Sequence, residues 1–236
     1  TEEIRAVKRA TETTMKAFAA MSRRLPKLKN EYELEAVATG IFRSHNMRHA
    51  YEPIVAGGER ANTLHYINND QKIRANQLVL IDVGAEYSHY ASDITRTIGI
   101  NPTVRQKQLH GAVVEIHNYA LDILHCGLSF KDYESQVREF IGQKLRELKL
   151  IRRVSKKVVR KYFPHAVTHP VGLDVHDPFP ADGMIKPGMI LTIEPGIYVE
   201  EEGIGIRTED IVLVREKAIA NLSQKLSHSL NSLRIS

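Results

Sequence analysis

Two aspartates interrupt a stretch whose other residues favour β-strands. Asp82 lies among Val, Leu and Ile residues, and Asp93 lies just before a second β-branched run. Strands are rich in Val, Ile and Thr and poor in Asp, so each carboxylate is unusual in this setting. Burying both carboxylates is unfavourable unless a cation or hydrogen bonds compensate them. The pair therefore predicts a compensating partner elsewhere in the chain.

Strand geometry should bring the two carboxylates together. Successive strand residues point to opposite faces, so Asp82 shares a face with Leu80. Residues 84–88 offer turn chemistry, which predicts a hairpin that returns the chain to Asp93. We expect the two acids to face one another across this strand pair.

The second half of the chain repeats this arrangement of acids. Residues 189–196 and 204–214 are typical of strands, joined by a turn at residues 200–203, and they carry Glu194 and Glu209. Predicted helices precede the strand pair in each half, and they begin at Glu2, Asn30, Thr103 and Ser129. No short-period sequence repeat accompanies this match, so it is a match of architecture. Two pseudo-equivalent halves would place four carboxylates around one centre.

Metal binding explains four such acids better than separate ion pairs do. A single acid on a strand is usually an edge residue in an ordinary salt bridge, whereas four at matched positions favour a shared site. Oxygen-rich ligand sets suit hard divalent ions such as Mn²⁺ and Mg²⁺. Among His165, His169 and His176, which share one irregular segment, we choose His169 as the imidazole ligand.

Arg207 lies two residues before Glu209, so their side chains should share one strand face. The guanidinium could then orient a metal-bound carboxylate and keep it ionised. An exposed arginine on an edge strand is the alternative. The sequence lacks a His-Glu-x-x-His motif, a Gly-x-Ser-x-Gly motif and a phosphate loop, so other hydrolase chemistries are poorly supported.

Composition limits the other classes of function. The 236 residues carry a formal net charge of +5 and one cysteine, Cys126, so an internal disulfide is impossible and a reducing compartment fits. We find no membrane span and no signal peptide, so we expect a cytoplasmic protein with no membrane partner.

Residues 144–161 are strongly basic, and their interleaved apolar residues predict an amphipathic helical segment with a solvated face. A nucleic-acid surface there is the less favoured alternative.

Five segments resemble one metallopeptidase family, that of aminopeptidase P, prolidase and methionine aminopeptidase. They are residues 80–84, 92–97, 169–177, 193–196 and 205–210. The resemblance implies the pita-bread (creatinase/aminopeptidase) fold, an α/β (α+β) architecture of pseudo-symmetric halves with a curved antiparallel sheet. We therefore expect residues 1–236 to form a single catalytic domain, without the N-terminal domain that is usual in the family.

The same resemblance implies a site with two divalent metal ions, most often Mn²⁺, with Co²⁺ or Zn²⁺ as alternatives. The implied metal ligands are Asp82, Asp93, His169, Glu194 and Glu209, with Asp93 and Glu209 bridging the ions. The implied catalytic residues are His65, His165, His176, Glu194 and Arg207. In this scheme Glu194 lies close to the nucleophilic water, and the histidines contact the substrate and its reacting carbonyl.

The motifs most resemble the aminopeptidase P branch. This resemblance implies that peptides with proline in second position lose their N-terminal residue, by attack of a water or hydroxide that bridges the ions. Prolidase, which takes Xaa-Pro dipeptides, is the alternative enzyme. A non-catalytic peptide- or nucleic-acid-binding module on the same fold is the alternative of another class. We expect peptide substrates, no nucleic-acid partner, and a homo-oligomer for the full-length protein.

Overall fold

The fold combines five helices with short antiparallel strands in the residues that the computed structural model describes, 1–180 and 182–235. The helices are α1 (Glu2–Arg24), α2 (Glu31–Ser44), α3 (Val104–Ile123), α4 (Phe130–Glu147) and α5 (Lys156–Tyr162). The strands are β1 (Arg48–His49), β2 (Ile54–Gly57), β3 (Leu78–Val83), β4 (Ala85–Tyr87), β5 (Tyr90–Ala91), β6 (Ile94–Gly99), β7 (Ile190–Ile193), β8 (Gly196–Val199), β9 (Ile204–Arg207), β10 (Asp210–Val214) and β11 (Ile219–Asn221).

Capping residues set the starts of the long helices, as the sequence predicts. Asn30 forms a capping box with Glu33 at the start of α2, and Thr103 forms one with Gln106 at the start of α3. The Ser129 hydroxyl accepts the Asp132 amide at the start of α4. These side chains satisfy amide groups that have no partner inside a helix.

β3 is the strand that carries Asp82, and it lies between β2 and β6 in an antiparallel sheet. Its alternate residues belong to different cores. Leu78 and Leu80 pack in the core that includes α3 and α4, whereas Val79 and Ile81 pack in the core that includes α1 and α2. Asp82 continues the face of Leu80, so it points toward the second half of the molecule.

The second half contains a sheet of order β11-β10-β7 and the β8-β9 hairpin. It meets the first half along β6. The Thr97 hydroxyl donates to the Arg207 carbonyl at 3.0 Å, and the Glu209 amide donates to the Thr95 carbonyl at 3.0 Å. The expected architecture of two halves with antiparallel sheets is confirmed.

The strands of the second half are shorter than the sequence predicts. β7 ends at Ile193 and β8 begins at Gly196, because Pro195 has no amide hydrogen to donate to a ladder. The single strand expected over residues 204–214 is wrong as well. β9 pairs with β8, β10 pairs with β7, and Glu209 lies at the break between them.

The turn predicted at residues 84–88 is displaced. The β4-β5 hairpin turns at Ser88 and His89, whose φ angles of 51° and 68° lie in the left-handed region. Gly84 instead lies where the chain passes close to itself, since a Cβ atom there would overlap the Ser92 carbonyl oxygen. β3 therefore pairs with β6 beyond a small intervening hairpin.

The basic residues 144–161 do not form one continuous helix, so that part of the prediction is wrong, but most of their basic side chains are exposed, as the predicted solvated face requires. α4 ends at Glu147, and Lys149 adopts a left-handed φ of 60°, which ends helical continuation. Lys144 pairs with Glu115 at 2.6 Å.

Within the described ranges, no helix has the length and apolarity needed to cross a bilayer.

Candidate metal centre

The predicted ligands converge where the two halves meet. Asp93, His169 and Glu209 each place one ligand atom within 4.8 Å of the other two. His169 Nε2 lies 3.5 Å from Asp93 Oδ2 and 3.6 Å from Glu194 Oε1. Asp93, Glu194 and Glu209 lie at strand ends or between strands. At such positions a side chain can leave the plane of its sheet and point into the centre.

Tyr51 connects Asp82 to this group. Its hydroxyl oxygen lies 2.5 Å from Asp82 Oδ1 and 2.6 Å from Asp93 Oδ1. Burial, together with these two carboxylates, raises the pKa of Tyr51 well above its ordinary value, so the phenol keeps its proton. The phenol has one proton, so it donates a hydrogen bond to only one of the two carboxylates at a time. The other carboxylate then lacks this hydrogen bond.

Arg207 supports two of the acids. Its Nη2 donates to Asp82 Oδ2 at 2.7 Å, and its Nη1 donates to the Tyr198 hydroxyl at 2.8 Å. Its Nε donates to Thr95 Oγ1 at 3.1 Å, and that hydroxyl donates to Glu209 Oε2 at 2.6 Å. The guanidinium therefore holds Asp82 directly and Glu209 through Thr95.

The acids are too crowded to remain ionised without further positive charge. Burial raises the pKa of Glu194 to about 8, and burial with the Asp93 charge raises the pKa of Glu209 well above its ordinary value. Burial opposes protonation of His169, but the neighbouring carboxylates outweigh it and raise the pKa of that ring to about 9. An excess of buried carboxylate oxygens is the donor set that divalent cations require, so the residues fit a metal centre.

The orientation of His169 also fits metal binding. Its Nδ1 lies 3.0 Å from the Pro170 carbonyl oxygen, which can only accept a hydrogen bond. Nδ1 therefore carries the hydrogen in the neutral ring, and the lone pair of Nε2 faces the carboxylates. The His169 amide donates to Thr192 Oγ1 at 3.1 Å, which fixes the backbone beside the ring.

The three remaining predicted histidines lie at the edge of the centre. His165 Nε2 lies 2.8 Å from the Tyr198 hydroxyl, and His165 Nδ1 lies 3.4 Å from Glu194 Oε2. His176 packs edge-to-face on His169 with 4.4 Å between ring centroids. His65 is exposed, and its charge helps to lower the pKa of His165 and of His176, so it lies near both rings.

Sequence reasoning missed three residues of this network. Thr95 lies two residues after Asp93 on the same strand face, so its position was a usable signal. Tyr51 and Tyr198 gave no signal, because a lone tyrosine is ordinarily part of a core. Their function as hydrogen-bonding groups depends on contacts distant in sequence.

Comparison with known proteins agrees with this geometry. The profile of metallopeptidase family M24 matches residues 2–216. Xaa-Pro aminopeptidase 3 of Homo sapiens is 39% identical over 222 residues, covering 87% of this chain and 42% of the human protein. Xaa-Pro dipeptidase of Pyrococcus furiosus is 33% identical over 230 residues, covering 94% of this chain and 62% of that protein. The chain thus spans about half the length of these curated relatives.

Solved structures show the same fold. Zn-substituted Escherichia coli aminopeptidase P in complex with product superposes with a TM-score of 0.87 at 34% identity, covering 94% of this chain and 55% of that one. Proline aminopeptidase P II from Yersinia pestis gives a TM-score of 0.88 at 32% identity, covering 98% and 58%. The pita-bread fold expected from the sequence is therefore confirmed. The chain belongs to metallopeptidase family M24.

Proposed function

We propose that residues 1–236 form the catalytic domain of a metal-dependent exopeptidase that releases the N-terminal residue from peptides with proline in second position. The convergence of four carboxylates and His169, supported by Arg207, is the observation that carries this proposal. The names of the relatives, Xaa-Pro aminopeptidases among them, support the choice of substrate.

In this proposal two divalent ions, Mn²⁺ by preference and Co²⁺ or Zn²⁺ as alternatives, complete the site. The residues that would hold them are Asp82, Asp93, His169, Glu194 and Glu209. When bound, such ions supply Lewis acidity toward a carbonyl and make water a stronger nucleophile near neutral pH. Arg207 and Thr95 would act as positioning residues, because they contact the carboxylates.

The protein's own groups would handle the proton and the substrate. Glu194 would accept the proton of the attacking water at a carboxylate oxygen, with His165 Nδ1 3.4 Å away to orient it. His65 and His176, which are both exposed, would donate hydrogen bonds to the reacting carbonyl. A cleft of about 990 Å³ adjoins His165 and includes Phe130 and Phe179, so it could receive the apolar parts of a peptide. An Xaa-Pro bond has no amide hydrogen, so recognition must rest on ring shape.

Prolidase activity is the second candidate, because relatives named Xaa-Pro dipeptidase match at least as much of the chain as the relatives named Xaa-Pro aminopeptidase, at 31–33% identity. A non-catalytic binding module is a weaker candidate, since a protein without catalysis has no need of a complete donor set. A cytoplasmic location and a homo-oligomeric full-length protein belong to the same proposal.

Replacement of a proposed bridging ligand tests the metal assignment. We expect Asp93→Ala and Glu209→Ala to lose more than about 100-fold in Xaa-Pro peptide hydrolysis with added Mn²⁺, while keeping the wild-type circular dichroism spectrum. Asp122→Ala removes an exposed acid of α3 and serves as the matched control. Full activity in either ligand variant would overturn the assignment.

A further inference from the structure

A second cluster of metal-ligating side chains lies one residue beyond the candidate centre. Asp210 follows Glu209 directly, and consecutive residues of an extended chain point in opposite directions. Asp210 Oδ2 lies 3.4 Å from Nε2 of His117 on α3 and 3.3 Å from Nε2 of His228 in the C-terminal segment. The three ligand atoms all lie within 4.8 Å of one another.

We propose that His117, Asp210 and His228 form a mononuclear site for Zn²⁺, separate from the catalytic centre. Two imidazole nitrogens and one carboxylate oxygen are a common ligand set for zinc. Such ligands at about 2.0–2.1 Å from a tetrahedral ion lie about 3.3 Å from each other. The two distances from Asp210 Oδ2 are close to this value, and the shorter one, to His228, also satisfies the geometry of a long hydrogen bond.

The hydrogen bonding of the His117 ring supports a metal ion as its missing partner. The side chain is fully buried, and neither ring nitrogen makes a hydrogen bond to any residue in the ranges that the structure describes. Leaving a buried polar group unpaired is unfavourable, and native structures rarely tolerate it without a reason. A metal ion bound to Nε2 would satisfy one of these two nitrogens.

The Asp210 carboxylate is already held in the orientation that such an ion needs. Its Oδ1 accepts from Arg96 Nη2 at 2.5 Å and from the Ser223 hydroxyl at 2.8 Å. Its Oδ2 accepts from Asn221 Nδ2 at 2.6 Å and still faces both rings. Supporting hydrogen bonds of this kind fix the ligands of protein metal sites.

The charge balance of this site predicts its affinity for Zn²⁺ relative to that of the catalytic centre. Arg96 already compensates Asp210, so a divalent ion here would bring positive charge that no further acid of the cluster balances. We therefore expect weaker Zn²⁺ binding than at the acid-rich centre. A bound ion would join α3, β10 and the C-terminal segment, and it would stabilise the folded state by mass action.

Metal counting tests this proposal with His228→Gln, because His228 is partly exposed and we expect its loss to leave the core intact. After equilibration with Zn²⁺ and removal of free metal, we expect this variant to hold one Zn²⁺ per chain fewer than wild type. His125→Gln, which removes an exposed imidazole two residues after α3, should match wild type. Equal zinc content in His228→Gln and His125→Gln would overturn the proposal.

An Asp93→Asn background separates this site from the proposed catalytic metals. We expect Zn²⁺ to raise the melting temperature of Asp93→Asn through the His117 cluster. The rise should be smaller in Asp93→Asn/His228→Gln. The difference between these two variants does not depend on whether the catalytic centre loads. The same zinc-induced shift in both would contradict a site at His228.

Discussion

At the scale of single residues, the centre is a set of acids whose positions are fixed by a few neutral or cationic partners. Arg207 is the buried cation that contacts Asp82. It also donates a hydrogen bond to Thr95, whose hydroxyl donates one to Glu209. Tyr51 contributes one proton shared between two aspartates. Hydrogen bonds of this kind orient metal ligands, so their loss should weaken metal binding without removing a ligand.

Arg207→Lys tests this positioning function. A lysine cannot make three directed contacts from one planar group, so Asp82 and Glu209 would lose their fixed orientation. We expect Mn²⁺ affinity, measured by titration calorimetry, to fall by about 10–100-fold. Arg105→Lys, which changes a surface arginine paired with Glu202, is the control and should leave the affinity unchanged. Unchanged affinity in Arg207→Lys would show that its contacts are dispensable.

His110 provides a pH dependence of stability. Burial, with the charges of His228 and Arg96, lowers its pKa from 6.5 to about 4. The unfolded chain binds the proton more tightly, so this stabilisation is complete above the unfolded pKa and is lost as pH falls toward the folded value. Between pH 7 and pH 5 the loss amounts to about 2 kcal/mol for this group.

Urea unfolding at both pH values measures that contribution. His110→Gln should lose about 2 kcal/mol less than wild type between pH 7 and pH 5, whatever its absolute stability. His125→Gln, whose ring is exposed, should behave like wild type. Parallel pH dependence in wild type and His110→Gln would refute the assignment.

At the scale of elements, short strands that end beside the centre position the acids. The sequence patterns locate the helices well, because caps such as Asn30 and Thr103 act within a few residues. They misplace the strand ends, because Pro195 and the close approach at Gly84 act through partners distant in sequence. The acids predicted as ligands lie close together in the structure, whereas the strands beside Glu194 and Glu209 are shorter than predicted.

Gly84→Ala tests the close approach between β3 and the chain before β6. A methyl group there would overlap the Ser92 carbonyl oxygen, so we expect a loss of about 1–3 kcal/mol in the free energy of unfolding. Gly111→Ala is the matched control, because Gly111 lies inside α3 and a methyl group there would meet no neighbouring residue of the described ranges. It should stabilise by up to about 1 kcal/mol, since alanine favours helices. Stabilisation by Gly84→Ala would contradict this packing.

At the scale of the whole molecule, the centre exists only where the two halves pack together. The first half supplies Asp82 and Asp93, and the second supplies His169, Glu194 and Glu209. The sequence revealed this division because matched acids recur in matched architectures. It did not reveal the packing of the C-terminal segment, where Leu226 is buried and His228 reaches Asp210, since polar serine-rich residues give no periodic signal.

Peptide hydrolysis tests the central claim most directly. An Xaa-Pro-Yaa tripeptide and an Xaa-Pro dipeptide would each be incubated with the protein, once with added Mn²⁺ and once with a chelator. The proposed aminopeptidase predicts cleavage of the tripeptide after its first residue and loss of that cleavage with the chelator. Cleavage of the dipeptide alone would favour prolidase activity. Cleavage that persists in the chelator would contradict a metal-dependent enzyme.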